Sequence, residues 1–363
     1  MKLAAFGVTG HLLSWFSSYL SSRTQSVKLG DTSSKRAPVT SGVFQGSVLG
    51  PLLFLLYIND VFRVFRYGTP YVFADDIKVV FSFEPSHIQN SLSNIQNDLR
   101  GLENWCDTWR LEFSPMKCNV LSYRCTIPHN TLTLNGTSLG NSFTVRDLGV
   151  HYSSSLTFSE QASYSSAKAR SIIGYIMKSV SLAESRLMLY KICARPILEY
   201  CSLVISNSRK IDRLRIEKVQ RSFTKRLLGP STLNYQGRCK LLGLEPLWLR
   251  RLKANLVFLY KLLKTPDSCI GEFFQQMGDT RYPIRKKPHS FSLPKTRRNI
   301  RSNFFLYRYA HVWNKLPGTV RASENAVQFS SAIKRLLSVP KVAELLGSCV
   351  AEDELWQQGP AHI

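Results

Sequence analysis

Acidic residues are scarce here: 24 Asp and Glu stand against 48 Lys and Arg, a formal charge of +24 with a pI near 9.9. That balance suits a polyanionic partner; a basic soluble protein or a membrane-surface binder would share it. Long apolar runs are missing too. The most apolar stretch, "VLGPLLFLLYI" at 48–58, falls short of the roughly 20 residues a bilayer span needs and reads as a buried helix. Paired cysteines are absent: none of the eight forms a CxxC, and no group has zinc-ligand spacing. No secretory leader opens the sequence, so reduced thiols in an intracellular compartment, nuclear or cytoplasmic, are expected. The sequon Asn135-Gly136-Thr137 then counts as chance. No solenoid-type repeat is visible.

What is present is a globular composition, 44% apolar, long enough for two or three domains. Charge is unevenly placed. Residues 1–150 hold 13 Lys/Arg and 10 Asp/Glu, whereas residues 151–363 hold 35 and 14. Periodicity predicts an amphipathic helix over 10–23 and a strand in "TQSVKLG". The clearest helix has Ile88, Leu92, Ile95, Leu99, Leu102, Trp105 and Trp109 on one stripe. Short strands are expected at 116–123 and 143–152, then helices over 161–180, 183–204, 209–228 and 247–264.

"YVFADDIKVVF", 71–81, reads as strand, acidic turn, strand, with Asp75 and Asp76 at the tip. Neighbouring carboxylates repel, and each costs several kcal/mol to bury unpaired. A divalent cation removes the repulsion; Mg²⁺ takes one or two carboxylates together with phosphate oxygens and water. An ordinary solvated Asp-Asp turn is the other reading. Apolar flanks on both faces argue for a buried hairpin, since a surface hairpin is usually polar on one face. Upstream, "SGVFQGSVLGP" at 41–51 offers Gly42 and Gly46 for close backbone approach and Gln45 as an amide for a base edge or sugar. A helix start follows, which favours a phosphate.

"GVFQGSVLGPLLFLLYIND" followed by "YVFADDIKVV" resembles the paired signatures GVPQGSxLGPxLFxxYxND and YADD of the reverse transcriptases of non-LTR (LINE-type) retrotransposons. The resemblance runs from about residue 3 to residue 160. It continues more loosely through "RPILEYCSLVI" and "WNKLP". It implies an α+β fold: a partial right-hand polymerase palm, an antiparallel sheet with helices, over 1–160. A helical thumb over 161–230 and a basic helical C-terminal region over 231–363 would follow. It also implies an RNA-directed DNA polymerase acting on an RNA template, a DNA primer and dNTPs through a two-metal Mg²⁺ site. Carried over by residue, Asp75 and Asp76 would be the acidic metal ligands. Phe73 and Ala74 would line the turn near the primer end, and Gly42, Gln45 and Gly46 would approach nucleotide and template. Lys117, in "SPMKCNV", matches a lysine near the triphosphate, where a cation can offset charge on leaving pyrophosphate; a solvated lysine at a strand start is the other reading. "DLGVHY", with Leu148 and Gly149, looks like the segment that grips the primer.

The sequence departs from the family pattern twice. Phe44 stands where the family usually has proline. The resemblance also implies a further metal-binding aspartate on a strand before "KLAAFGVTG". Here the only acid before Asp60 is Asp31, in a turn. The expectation is therefore an N-terminally truncated polymerase with little or no activity, with a catalytically inactive remnant that only binds nucleic acid as the alternative.

Two basic stretches complete the reading. In 209–228, Ile211, Leu214, Ile216, Val219, Phe223 and Leu227 are expected to face a core, while Arg213, Lys218, Arg221, Lys225 and Arg226 face a nucleic-acid backbone. An arm at 281–303 holds eight Lys/Arg, no acid and three prolines, and interleaves Tyr282, His289 and Phe291. That mixture suits single-stranded nucleic acid.

Overall fold

Among the described residues the strands pair two by two, giving six small sheets rather than one broad one. The computed structural model describes residues 2–128, 130–205, 209–265, 291 and 304–348. Helix and sheet are mixed, as expected for α+β, and the chain divides into two compact units, 1–142 and 143–363. The expected palm boundary near 160 lies inside the second of them.

In the first unit, α1 (Lys2–Ala5) and α2 (Gly10–Leu20) precede β1 (Arg23–Gln25), β2 (Lys28–Leu29), β3 (Thr32–Ser33) and β4 (Ala37–Val39). β1 pairs antiparallel with β4, and β2 with β3 across the turn at Gly30 and Asp31. α3 (Leu49–Ile58) follows the glycine loop. Its expected burial holds only in part: Gly50, Leu53 and Ile58 are buried, but Leu52 and Leu55 are about half exposed. A helix apolar on all sides needs cover all round, and the described residues cover one side.

The hairpin β5 (Thr69–Phe73) and β6 (Asp76–Val80) precedes α4 (Ile88–Trp109). α4 carries the predicted stripe, with Leu92, Ile95, Leu102 and Cys106 buried. Burial of each aliphatic chain there contributes on the order of 1.5–3 kcal/mol. The stripe packs on Ile127, Leu132, Leu134 and Leu139 to form this unit's core. Of the strand expected at 116–123, only β7 (Asn119–Val120) forms, because Pro115–Lys117 closes a 3₁₀ turn. β8 (Thr133–Leu134) and β9 (Thr137–Ser138) make a hairpin over the sequon, and β10 (Gly140–Asn141) pairs parallel with β7.

The second unit opens with the hairpin β11 (Thr144–Asp147) and β12 (Val150–Ser153), then turns helical. α5 (Ser159–Ser179) leads to α6 (Ala183–Leu189), a π-helical turn at Tyr190–Ala194, α7 (Arg195–Glu199) and α8 (Ser202–Ile205). The helical stretch 183–204 is interrupted, as the punctuation by Pro196 suggested, and Pro196 sits in the first turn of α7, where a proline is tolerated. α9 (Lys210–Leu228) packs on α5, and α10 (Tyr235–Leu241) and α11 (Leu247–Lys264) follow. Then come α12 (Phe305–Lys315), α13 (Gly318–Arg321), α14 (Ala326–Leu337) and α15 (Pro340–Ser348). Two dense cores result, one around Tyr190, Leu198 and Phe223, the other around Trp248, Tyr309 and Phe329.

The face of α9 follows its sequence expectation at Ile216, Val219 and Phe223, which are buried, and at Lys218, Lys225 and Arg226, which are exposed, but not at its start. Ile211 is 60% exposed, while Arg213 is buried. Asp212 pulls the helix start into this register: its buried carboxylate accepts from Ser159 Oγ at 2.6 Å and Arg209 Nε at 3.2 Å, and it pairs with Arg215 at 3.6 Å. Apart from Phe291, the arm at 281–303 lies outside the described residues.

Candidate active-site hairpin and glycine loop

Register fixes the acidic tip. Phe73 pairs with Asp76, leaving Ala74 and Asp75 as the two turn residues. Ala74 has φ 51°, in the left-handed region that a two-residue hairpin turn demands. Directly opposed residues point to one face, so Asp76 shares its face with Phe73, Tyr71, Lys78 and Val80. That whole face is exposed, Phe73 at 65% and Tyr71 at 55%. The opposite face, Pro70, Val72, Ile77 and Val79, is half-buried. The sequence reading of a hairpin buried on both faces is therefore corrected: the face of Tyr71, Phe73 and Val80 is not covered by a packed layer of the described residues. Lys78 sits 5.9 Å from the Tyr71 ring centroid on that open face.

The hairpin is anchored at its base by a residue the sequence reading passed over. Asp98, buried on α4, accepts three backbone N–H bonds, from Arg66 (3.0 Å), Tyr67 (3.0 Å) and Gly68 (2.9 Å). The signal was there: an acid sits on the apolar stripe, three residues after Ile95 and four before Leu102. Gly68 is itself required, because a Cβ there would lie 2.5 Å from a Val79 methyl.

The glycine loop has its own supports. Gly42 (φ 77°) and Gly46 (φ 82°) hold left-handed backbone, the freedom expected of them. Arg23 Nη2 donates to the Gly42 carbonyl at 2.7 Å, and its guanidinium lies 5.1 Å from the Phe44 ring centroid. Tyr19 also packs on Phe44, centroids 5.0 Å apart. Phe44 thus serves as the loop's apolar anchor in place of a proline. Ser47 Oγ accepts from the Gly50 N–H at 2.9 Å, capping the start of α3. Gln45 is exposed. Neither Arg23 nor Ser47 stood out in the sequence, since each acts through backbone groups distant from it or local to it.

Below the loop, α3 is tied to α4. Tyr57 Oη donates to the Trp109 carbonyl. Asp60 accepts from Lys2 Nζ at 2.7 Å and from Trp105 Nε1 at 3.1 Å. Asp60 is therefore occupied in holding the fold. Lys117 is exposed at the end of its 3₁₀ turn, next to Cys118, which packs with Phe81 and Phe83 in the core that α4 organises.

Leu148 (φ 45°) and Gly149 (φ 80°) form the two-residue turn of the β11–β12 hairpin, in the second unit. Tyr200 Oη donates to the Leu148 carbonyl at 2.7 Å, and the Tyr200 ring would touch a Cβ at Gly149 at 3.4 Å. Tyr200 belongs to "RPILEYCSLVI", whose Glu199 also binds Arg250 through two hydrogen bonds. In "WNKLP", Trp313 and Leu316 are core, and Asn314 exchanges two 2.9 Å bonds with the Phe291 backbone.

As a metal site the hairpin offers two adjacent exposed carboxylates. That is the number Mg²⁺ takes when substrate phosphates and water fill its remaining positions. Among the described residues no group of three or more His, Cys, Asp or Glu gathers in one place. The six described cysteines are free; burial pushes the Cys106 and Cys239 thiols up to about 11, which leaves them unreactive near neutral pH. No described helix is long and apolar enough to cross a membrane.

Residues 1–165 match the family described as reverse transcriptase (RNA-dependent DNA polymerase). Three curated proteins of Drosophila melanogaster are similar to the chain. The probable RNA-directed DNA polymerase from transposon X-element is 33% identical over 110 residues, 29% of this chain and 12% of that protein. The RNA-directed DNA polymerase from mobile element jockey is 29% identical over 154 residues, 39% of this chain and 16% of that protein. The probable RNA-directed DNA polymerase from transposon BS is 25% identical over 219 residues, 56% of this chain and 24% of that protein. The chain thus spans a quarter or less of the relatives it matches, and no solved structure matches it. Signature motifs, family match and relatives agree: residues 1–165 are similar to the reverse transcriptases of mobile elements.

Proposed function

We propose that this chain supplies the acidic hairpin and the nucleotide loop of an RNA-directed DNA polymerase from a LINE-type element. The observation that carries the reading is the exposed Asp75-Asp76 pair at a hairpin tip. The reaction is attack of a primer 3′-hydroxyl on the α-phosphorus of a dNTP, templated by RNA, with pyrophosphate leaving. Asp75 and Asp76 would hold Mg²⁺ together with substrate phosphates, and bound Mg²⁺ would stabilise charge on the attacking and leaving oxygens. Phe73 and Ala74 shape the tip beside the primer end. Gly42 and Gly46 let backbone approach the nucleotide, Gln45 offers its amide to a base or sugar, and Lys117 offsets charge on pyrophosphate. Leu148 and Gly149, held by Tyr200, form the primer-gripping turn.

A second reading, nucleic-acid binding without catalysis, draws on the 35 Lys/Arg against 14 Asp/Glu in residues 151–363. Primer extension on an RNA template with Mg²⁺ separates the two, comparing the 363-residue chain with the Asp75→Ala/Asp76→Ala variant. Extension that disappears in the variant supports the polymerase reading. Extension by neither protein, with binding of the template–primer retained, supports the second. Extension that survives in the variant overturns the assignment of the hairpin.

A further inference from the structure

The second unit contains a groove of about 890 Å³ between the outer face of α11 and the helices α10, α14 and α15. It was not visible in the sequence, because its walls come from segments as far apart as Gln236 and Ala343. Along α11, Arg250, Lys253, Val257 and Lys261 recur at helical spacing and turn one face towards it. This is the side opposite the buried Leu252, Leu256 and Leu259.

Its charge is one-sided. Five cations line it against one acid, Glu245, among the described lining residues. Two cations are engaged: Arg250 binds Glu199, and Lys253 binds Glu245. Lys240, Lys261 and Lys334, from three different helices, are exposed and have no acidic partner among the described residues. Between them the wall is apolar, with Leu249, Val257 and Phe258 partly open to solvent.

We propose that this groove binds a short single-stranded stretch of nucleic acid, phosphates on the three lysines and bases against the apolar wall. Alternating cations and apolar surface fit a ligand that alternates phosphate and base. From Arg250 to Lys261 the helix rises about 16 Å, the length of a few nucleotides. On α9, the basic helix suggested by the sequence, Arg213 is buried and Arg221 stacks on Tyr235 at 5.0 Å, while Lys218, Lys225 and Arg226 are exposed and form a separate basic face. The inference does not rest on the polymerase reading, since it concerns binding by the second unit alone.

The test is fluorescence anisotropy of a labelled 12-nucleotide oligo-dT with the full chain, across a salt series. The groove variant is Lys240→Glu/Lys261→Glu/Lys334→Glu. A control with equal charge change on α5 is Lys168→Glu/Arg170→Glu/Lys178→Glu, all at exposed positions. The expected result is a loss of tenfold or more in affinity for the groove variant. Its slope of log K on log salt should fall by about 2, three contacts at ~0.7 each for single strands. The control should retain most of its affinity, and an abasic 12-mer should bind about fivefold or more weakly. Unchanged affinity in the groove variant overturns the proposal, as does an equal loss in the control. Equal binding of oligo-dT and its abasic counterpart, with polyglutamate competing as well as either, would assign the groove to an acidic protein segment instead. Circular dichroism melts of both triple variants show that they remain folded. Primer extension is read separately, so either reading can fail while the other stands.

Discussion

The two units of this chain solve the problem of burial differently. Among the described residues the largest fully buried side chains lie in the second unit, with Trp248, Arg251, Tyr190, Tyr260, Tyr309 and Phe223 at their head. It also buries a polar cluster: the Glu217 carboxylate accepts from Tyr235 Oη at 2.6 Å and from the backbone N–H of Leu247 and Trp248 at 2.9 and 3.0 Å, with Arg251 at 3.6 Å. Gln220 joins the same cluster through Tyr190, Tyr235 and the Glu245 carbonyl. The first unit has one small core along α4 and leaves Trp15, Leu12, Tyr71, Phe73 and Leu52 half exposed or more. Stability is concentrated where the helices are, and the residues with candidate chemistry stand on the more open unit. Open, weakly supported segments are where binding and catalytic residues are commonly found.

The largest way to break this contrast is at Glu217. Its Ala variant leaves Arg251 as an uncompensated buried charge and frees two helix-start N–H groups. A loss of about 3–5 kcal/mol is expected in denaturant unfolding of the second unit. Glu217 also gives a pH signature. Burial raises its pKa above the ordinary 4.5, outweighing the lowering by Arg251 and by the donated hydrogen bonds. The folded state therefore holds this proton more tightly than the unfolded chain. Its contribution is fully present below the unfolded pKa and is lost as pH rises through the folded one. Glu217→Gln should flatten that fall, and an unchanged pH profile in the Gln variant would refute the account.

Next in size is Asp98, the first unit's counterpart to Glu217. Asp98→Ala removes the acceptor for three backbone N–H groups at the base of the hairpin. The expected loss is about 3 kcal/mol, with Asp98→Asn less damaging because one oxygen remains to accept. Hydrogen exchange should speed up at Arg66, Tyr67 and Gly68 first. Uniform acceleration across both units would show instead that the whole fold depends on this carboxylate.

These two residues also show what could be read in advance. The α4 stripe, the extent of α11 and the β5–β6 hairpin with its acidic tip follow from periodicity and turn chemistry, which are local. The paired motifs made the family legible. Less legible was whatever depends on distant partners. The exposure of Phe73 turns on whether another layer packs over its face of the hairpin, and no periodicity in 71–81 reports that. The inward turn of Arg213 depends on Asp212 meeting Ser159, some 50 residues away. The role of Tyr200 as support for the Leu148 turn is likewise a contact across the chain, hidden in a stretch that reads simply as apolar helix.

A smaller effect is expected in the glycine loop. A Cβ on Gly50 would lie 2.7 Å from the Phe44 carbonyl oxygen and 2.9 Å from Ser47 Oγ. The close backbone contact cannot be relieved by a side-chain rotation. Gly50→Ala gains up to ~1 kcal/mol of helix propensity but forces the loop to shift. A net loss of about 1–2 kcal/mol should result, along with weaker dNTP binding if the loop contacts nucleotide. A stabilised Gly50→Ala protein would mean that the loop yields easily, and that its geometry is not set by the contact with α3.

The smallest change sharpens the comparison most directly, because it tests the hairpin tip without touching either carboxylate. Ala74 sits at φ 51° and is exposed. Left-handed backbone costs a non-glycine residue about 1–2 kcal/mol, and Ala74→Gly would relieve it. The same substitution gives the unfolded chain more freedom, worth about 0.4–1 kcal/mol in the opposite direction. The two nearly cancel, so a change within about 0.5 kcal/mol, slightly stabilising, is expected in thermal unfolding. Asp75→Ala/Asp76→Ala should be just as mild in stability, since both carboxylates are exposed. If both variants leave the melt unchanged while Ala74→Gly weakens primer extension or template–primer binding, the tip is held in its strained form for a purpose other than folding. A large stability loss in Ala74→Gly would instead make the tip part of the first unit's support, and the open face of the hairpin would then be less free than its exposure indicates.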